Sequence, residues 1–281
     1  MNRREIKLTA HAAANQAGKA AKLATLVFLL CRLGLYGLQY LSEFLINLTP
    51  TGSHISDALA AGARNLVLTI LAALVIGVVS QLLSAGYGRV ALNIHRREPV
   101  SIPTLLEGFQ IPLRIIALDV LRALLLIAWS YAVSLPVSFL LAVPMSTFTA
   151  NLSVETQQIA ALVLILTLTV IIMLVVSLRY WGALFILLDH PELTPWQCLR
   201  TAAAMTKNHR MELFLLSLSL LPWMLLCTLT AGILLIWKMP YFAAVYAGAY
   251  EELDRQYRDK LERIRELRQQ FPASQFPPEQ M

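Results

Sequence analysis

Long apolar runs separated by short polar segments dominate the pattern of the chain. Six runs are each long enough to cross a hydrocarbon core of about 30 Å as an α-helix, which rises about 1.5 Å per residue. The pattern therefore predicts six transmembrane helices, at residues 23–48, 64–92, 113–141, 159–188, 213–230 and 232–250. The predicted fold class is all-α, a polytopic transmembrane helical bundle of about six spans with amphipathic helices on its cytoplasmic surface.

Polar segments at both ends of the chain predict further helices. Residues 1–22 are basic and alanine-rich, and they predict a cytoplasmic amphipathic segment that leads into the first span. Residues 251–281 begin with apolar positions at helical spacing, which predicts a charged cytoplasmic helix followed by a disordered tail. Between Pro103 and Pro112, residues 102–110 could form a short helix in the membrane interface.

The segment between the fourth and fifth predicted spans has the signals of a surface helix at residues 195–207. Thr194 is a favourable N-cap, and Pro195 is a favourable first helical residue. Trp196 belongs to one apolar face, which we expect to lie on the membrane or on the bundle with Trp196 buried. Asn208 suits a left-handed residue that ends this helix.

The basic residues are distributed unevenly among the polar segments. Residues 49–57 and 144–158 contain no Lys or Arg, whereas residues 93–97 and 207–210 are basic. The positive-inside rule places the first two segments outside the cell and the last two in the cytoplasm. Six spans with both termini in the cytoplasm satisfy the charges of every polar segment.

Composition supports the membrane class. Charged residues make up 14% of the chain and hydrophobic residues 57%, whereas soluble domains carry about 25% charged residues. The net charge is +6. The Lys and Arg residues flank the apolar runs and form no compact patch, which argues against nucleic acid as a partner.

The sequence contains no recognisable catalytic motif, so we assign no catalytic residue, no cofactor and no metal site. Its three cysteines include no CxxC pair, and we interpret them as small buried hydrophobic residues. Asp189, His190 and Glu192 are close enough in sequence to bind a metal in principle. The alternative for these three residues is a polar segment that precedes a helix.

Charged residues inside the predicted spans form a candidate intramembrane polar network, because charge in a membrane is costly and is usually functional. An interfacial ion pair is an alternative for Asp119 and Arg122. Lys238 could pair with Glu43, point toward the Ile236 carbonyl that Pro240 frees, or extend to the headgroups. The network residues and the prolines predicted to break helices are Arg32, Glu43, Asp119, Arg122 and Lys238, and Pro136 and Pro240.

Small residues recur at four-residue spacing in the second predicted span. Ala73 precedes Gly77, and Ser84 precedes Gly88, by four positions each. This spacing lets helices approach closely in a membrane, so it favours close packing at these sites. The alternative is that small residues are simply common in transmembrane helices.

The region from Asp189 to Leu253 also carries a set of short motifs. They are His190-Pro191-Glu192-Leu193, Met205-Thr206-Lys207-Asn208-His209, Leu218-Ser219 with Trp223, Thr230-Ala231-Gly232, Trp237-Lys238-Met239-Pro240-Tyr241 and Tyr250-Glu251-Glu252-Leu253. In these motifs the chain resembles a bacterial membrane family known as the domain of unknown function nine hundred and seventy-five. Asn208 stands where that family usually has Gly, and Lys238 where it has an apolar residue. The resemblance implies a polytopic protein of the bacterial cytoplasmic (inner) membrane and no established activity.

Two classes of function remain open at this point. The first is a non-enzymatic envelope protein that binds membrane lipids, protein partners or further copies of itself. Its basis is the absence of catalytic motifs together with basic amphipathic helices, which suit anionic headgroups. The second is a small-molecule transporter or permease subunit, which prolines and charges within the spans would favour. An enzyme that acts on lipid is a weaker third.

Overall fold

The computed structural model describes the backbone of residues 3–48, 55–148 and 154–270, with side chains over most of these ranges. The elements in this part are helices and turns, which confirms the all-α fold class. In chain order the elements are α1 (Arg3–Asn47), α2 (Ile55–Arg96), a 3₁₀ helix (Ile102–Gln110), α3 (Pro112–Phe148), α4 (Val154–Arg179), α5 (Ala183–Asp189), α6 (Pro195–Met205), α7 (Arg210–Leu229) and α8 (Leu235–Gln270).

Five helical stretches in the described part are long and apolar enough to cross a membrane, one fewer than the six predicted spans. The sequence prediction differs from the structure at residues 232–250. There the chain first makes a turn, and α8 begins only at Leu235. Lys238 and several tyrosines then lower the mean hydropathy of α8 below that of a lipid-facing span. The five stretches are Arg3–Asn47, Ala60–Arg96, Pro112–Ala132, Thr169–Asp189 and Arg210–Leu229.

The first helix combines the predicted amphipathic segment and the first predicted span. α1 bends at Gly18, whose φ of 51° is readily adopted only by glycine. Before the bend α1 packs on α8, where the rings of His11 and Tyr241 lie 6.1 Å apart. After the bend it packs on α2, where the rings of Phe28 and Tyr87 stack at 4.5 Å. The bend therefore lets one helix bind two others.

The middle of α8 is the core of the bundle. Ala244, Val245, Ala247 and Ala249 are fully buried, and Tyr250 is 1% exposed. Small side chains at these positions allow α1 and α2 to approach α8 closely. Because neighbouring protein surrounds this part of α8, it has no need of the uniformly apolar surface of a lipid-facing helix.

The two prolines predicted to break helices do not end them. α8 runs on through Pro240, which lies close to its N-terminal end and so removes only one hydrogen bond, to the Ile236 carbonyl. The backbone of α3 is helical through position 136; the side chain of Pro136 itself lies outside the described residues. α8 also continues past the predicted boundary at residue 250 into the charged tail helix.

The 3₁₀ helix forms within the bounds expected for a short interfacial helix and packs tightly on α2. A Cβ at Gly86 would overlap the Leu105 carbonyl, and one at Gly108 would lie 2.8 Å from the Gly86 nitrogen. A Cβ placed at Gly77 would meet no described atom within 4 Å, so the described residues show no close packing there. The close approach occurs at glycines that the four-residue pattern did not mark, except that a Cβ at Gly88 would meet Leu188 at 3.0 Å.

The surface helix α6 begins where the sequence predicts. Thr194 caps it by accepting a hydrogen bond from the Gln197 nitrogen, and the Gln197 side chain accepts one from the Thr194 nitrogen. The bundle does not bury Trp196, which is 56% exposed, and its burial against the membrane stays a prediction. The buried face of α6 is instead Cys198, Leu199, Ala202 and Met205.

The prediction that Asn208 has a left-handed backbone conformation is wrong. Among the described non-glycine residues, positive φ occurs at Arg97 and Ala231. α6 ends at Thr206, whose hydroxyl donates to the carbonyls of Ala202 at 2.8 Å and Arg179 at 3.0 Å. These bonds satisfy carbonyls at the ends of two helices, so a left-handed residue is not needed there.

Candidate functional site

A network of charged side chains joins the C-terminal ends of α2 and α5 to the middle of α8. The Arg96 guanidinium donates to both carboxylate oxygens of Asp189, at 3.0 and 2.7 Å, and through Nε to Glu251 at 2.6 Å. The Asp189 side chain is 11% exposed, so this fork-shaped pair is well shielded from water. Arg96 therefore holds three helices together.

Arg89 extends this charged network to the 3₁₀ helix. It donates through Nε to Glu107 at 3.2 Å and through Nη1 to the Leu188 carbonyl at 3.2 Å and to Asp189 at 3.4 Å. Arg89 and Arg96 are seven residues apart, which is about two helical turns, so both project from the same side of α2. At the far end of the network His95 Nε2 lies 3.4 Å from Glu251.

Gly248 makes room for this network on α8. A Cβ at Gly248 would lie 2.6 Å from the His95 ring. Any larger residue would push the ring away from α8, and with it the contact between His95 and Glu251. Gly248 thus leaves the space on α8 that the His95 ring of α2 occupies.

A charged cavity of about 770 Å³ adjoins the network, between the start of α1 and the tail of α8. Acidic and basic side chains both line it, and many pair with each other. Arg258 donates to Asp254 at 2.7 Å and lies 3.0 Å from His190 Nε2, and Arg255 pairs with Glu252. Seven acidic side chains and four arginines are among its described lining residues, so the lining has an excess of negative charge.

A second cavity, of about 380 Å³, has only basic charges among its described lining residues. We call it the basic cavity. It lies where α4 ends and α7 begins, beside α3 and α6. Its walls combine four cations with apolar and aromatic surface, and its lining residues are Leu125, Arg179, Tyr180, Trp196, Leu199, Arg200, Ala203, Ala204, Lys207 and Arg210.

The arginines of the basic cavity are positioned by aromatic rings and by burial. The Arg179 guanidinium lies 5.7 Å from the ring centroids of both Trp129 and Tyr180. The Nε atoms of Arg179 and Arg210 are buried and have no hydrogen-bond partner among the described groups. The acid nearest in sequence, Glu212, lies 2.9 Å from His209 Nδ1. The walls of the basic cavity thus contain guanidinium N–H groups that donate to no described group.

A third cavity, of about 500 Å³, lies between α1, α7 and α8. Lys22 and Lys238 line it with His11, Asn15 and aromatic side chains. The Lys238 ammonium lies 4.0 Å from the ring centroid of Trp223, close enough for a cation–π contact. The polar and aromatic lining resembles that of small-molecule sites in general.

The five charged residues of the predicted intramembrane network occupy different parts of the structure. Arg32 donates to Ser80 of α2 and to Tyr36 at 3.2 Å. Glu43 accepts from Gln39 at 3.3 Å. Lys238 lies on Trp223 of α7.

Asp119 and Arg122 lie one turn apart on α3, and the Arg122 Nε is buried with no hydrogen-bond partner among the described groups. Asp119 and Arg122 therefore share their surroundings on α3, whereas Arg32, Glu43 and Lys238 make separate local contacts. The structure shows no pairing of Lys238 with Glu43 among its described contacts.

Sequence reasoning missed the residues that join the helices. Arg96 contributed only to the topology argument, Arg89 was not singled out, and Asp189 was considered for a metal. Among the described residues no three His, Cys, Asp or Glu side chains are grouped as a metal would require, and Asp189 binds two arginines. The sequence feature that could have indicated this network is the seven-residue spacing of Arg89 and Arg96, which places both on the same side of a helix.

The whole of this arrangement, apart from the end of the α8 tail, falls within one family match. Residues 1–256 match the family described as Protein of unknown function (DUF975). The chain belongs to this family. The resemblance noted over the region from Asp189 to Leu253 thus extends over most of the DUF975 protein, including α1 and α2. No curated protein and no solved structure matches the chain.

Proposed function

We propose that this DUF975 protein is an integral protein of the bacterial cytoplasmic membrane that binds membrane lipids or protein partners and catalyses no reaction. The observation that carries the proposal is the position of the exposed apolar side chains. They lie along the five apolar helices, and examples are Leu33, Leu66, Leu113, Val170 and Leu229, each more than half exposed. Such extensive apolar surface is unfavourable in water and is expected where lipid covers it.

The distribution of charge supports the same proposal. The salt bridges between helices join the C-terminal ends of α2 and α5 to the middle of α8, at one end of the apolar helices. This end would stand in the aqueous layer beside the membrane, and the positive-inside rule assigns it to the cytoplasm. Four basic residues in a cavity at the ends of α4 and α7 suit contact with anionic headgroups.

A solute transporter is the second candidate, and the third cavity is the observation that favours it. Lys22 and Lys238 in a polar and aromatic cavity between three helices could bind an anionic solute. This cavity lies between helices, as many transport sites do. Its occupant would be a small carboxylate or phosphate, which two lysines could neutralise.

A thermal-unfolding panel separates the two candidates. The full chain, purified in a neutral detergent and stripped of lipid, is heated with phospholipids of different headgroups and, separately, with small carboxylates and phosphates. If the protein binds lipid, phospholipids raise its unfolding temperature by several degrees and solutes do not. Stabilisation by a solute, together with its uptake into vesicles that contain the protein, would contradict the proposal and favour transport.

A further inference from the structure

We propose that the basic cavity binds the phosphate group of an anionic membrane phospholipid. This inference rests on the proposed membrane location and names the ligand class of one site. The general chemistry is recognition of a phosphate by arginine and lysine. Arg179, Arg200, Lys207 and Arg210 supply four positive charges to the walls, and their acidic counterparts are absent from the described lining.

The donors match a phosphate better than they match a neutral headgroup. A guanidinium presents its N–H groups in a planar fork that fits two oxygens of one phosphate. A buried N–H without an acceptor is unfavourable, and the Nε atoms of Arg179 and Arg210 are in this position with respect to the described protein groups. A phosphate bound in the cavity would supply oxygen atoms that accept hydrogen bonds from these arginines.

The position of the cavity favours a lipid over a soluble anion. Arg179 is the last residue of α4, and Arg210 is the first residue of α7, so both cations lie at the ends of apolar helices. Charges at this level of a membrane protein meet the phosphate layer of the bilayer. Leu125, Leu199 and Ala203 add apolar wall, which would contact the glycerol and upper acyl carbons of a lipid.

Trp196 is explained by the same site. It is 56% exposed although it lines the basic cavity, so its indole ring stands at the rim. Tryptophan is enriched at the membrane interface, because its ring is largely apolar and its N–H remains polar. A lipid headgroup in the cavity would lie beside this ring, which accounts for a tryptophan on the open face of α6.

The test uses the full chain in neutral detergent and measures retained lipid by native mass spectrometry. The variant Arg200→Gln/Lys207→Gln removes two exposed cations of the cavity and leaves the half-buried Arg179 and Arg210 in place. The matched control, Arg263→Gln/Arg265→Gln, removes two exposed cations from the α8 tail. The probes are phosphatidylglycerol, phosphatidylcholine and inorganic phosphate.

We expect the wild type and the control to retain phosphatidylglycerol in preference to phosphatidylcholine. The cavity variant should bind phosphatidylglycerol about tenfold more weakly, which is a modest change for two charged donors. Arg210→Lys keeps the charge but lacks the buried Nε, so a loss of several-fold would show that the guanidinium fork matters. All variants are first compared for thermal unfolding, to establish that they are folded.

Two results would overturn the assignment. Equal retention of phosphatidylglycerol by the wild type and the cavity variant would exclude the basic cavity as the site. Displacement of the lipid, or equal protection against unfolding, by millimolar inorganic phosphate would assign the cavity to a soluble anion. Neither result would affect the proposed membrane location, which alkaline extraction of membranes tests separately, since an integral protein stays in the pellet.

Discussion

Arg96 illustrates how a single residue can hold several helices together. Its guanidinium makes three charge-assisted hydrogen bonds to carboxylates on α5 and α8. The Arg96 side chain is 32% exposed and that of Asp189 is 11% exposed. The pair is therefore stronger than a surface salt bridge but is partly screened by solvent.

We expect Arg96→Met to destabilise the protein by about 1–3 kcal/mol, because it leaves the shielded Asp189 with only the longer contact to Arg89. The measurement is reversible unfolding by denaturant in detergent micelles. The control is Arg97→Gln at the next position, which should stay within about 0.5 kcal/mol of the wild type. Equal effects of the two substitutions would contradict the role assigned to Arg96.

Cys198 differs from the accessible thiol that a topology experiment would need. It is fully buried, and burial raises the pKa of its thiol to about 11, because the charged thiolate is disfavoured away from water. Cys227 is also buried, whereas Cys31 is exposed on α1. The native cysteines therefore differ in access to reagents.

We predict that a maleimide at pH 8 leaves Cys198 unmodified in the folded protein. The raised pKa leaves only about one thousandth of the Cys198 thiol as reactive thiolate at that pH, and burial blocks access as well. Peptide mapping by mass spectrometry identifies the labelled sites. After unfolding Cys198 should react, and a similar rate in the folded protein would contradict the structure.

At the scale of elements, the contact between α2 and the 3₁₀ helix depends on Gly86 and Gly108. The Leu105 carbonyl occupies the space that a Cβ on Gly86 would need. The backbone of α2 at Gly86 likewise occupies the space that a Cβ on Gly108 would need. Gly77, nine residues earlier on the same helix, has open space around it. Gly77 and Gly86, both on α2, therefore serve as a matched pair for experiment.

Gly86→Ala should destabilise the protein by about 1–3 kcal/mol, because the new methyl group would overlap the Leu105 carbonyl and push the 3₁₀ helix away. Gly77→Ala should be neutral or stabilising by up to about 1 kcal/mol, since alanine favours the helix and meets no neighbour. Thermal unfolding of both variants checks this. A Gly86→Ala protein as stable as the Gly77→Ala protein would refute the packing.

The sequence predicts a feature well when the residues that cause it are close to each other in the chain. Thr194 and Gln197 form a capping box within one turn, so the start of α6 was predictable. The buried side of α6 was not, because the exposure of Trp196 depends on what covers the helix from elsewhere. Likewise Arg96 meets Asp189 and Glu251 across separations of 93 and 155 residues, which no local pattern encodes.

α8 shows the same limit for a whole helix. Its composition predicted a transmembrane span at residues 232–250, on the assumption that the helix faces lipid. The structure instead surrounds its middle with α1 and α2, so that Tyr250 is almost fully buried. An apolar run indicates a helix removed from water, whether lipid or protein covers it, so the crossing at residues 232–250 stays a prediction.

At the scale of the whole molecule, we propose that five helices face lipid and that α8 returns through the interior of the bundle. α7 has 20 residues, which is enough to cross the hydrocarbon core of about 30 Å. The turn at residues 230–234 would then lie outside the cell. The enclosed return of α8 would bring the charged tail back to the cytoplasmic side, and both termini would lie there.

The most direct test of this account is the accessibility of two introduced cysteines in a Cys31→Ala background, since the other native cysteines are buried. Ile233→Cys lies in the turn after α7, where the native side chain is 63% exposed, and Arg263→Cys lies in the α8 tail. A membrane-impermeant maleimide is applied to intact spheroplasts and to lysed ones. We expect Ile233→Cys to react in both and Arg263→Cys only after lysis. Reaction of both sites in intact spheroplasts, or of neither before lysis, would contradict the crossing of α7 and the return of α8.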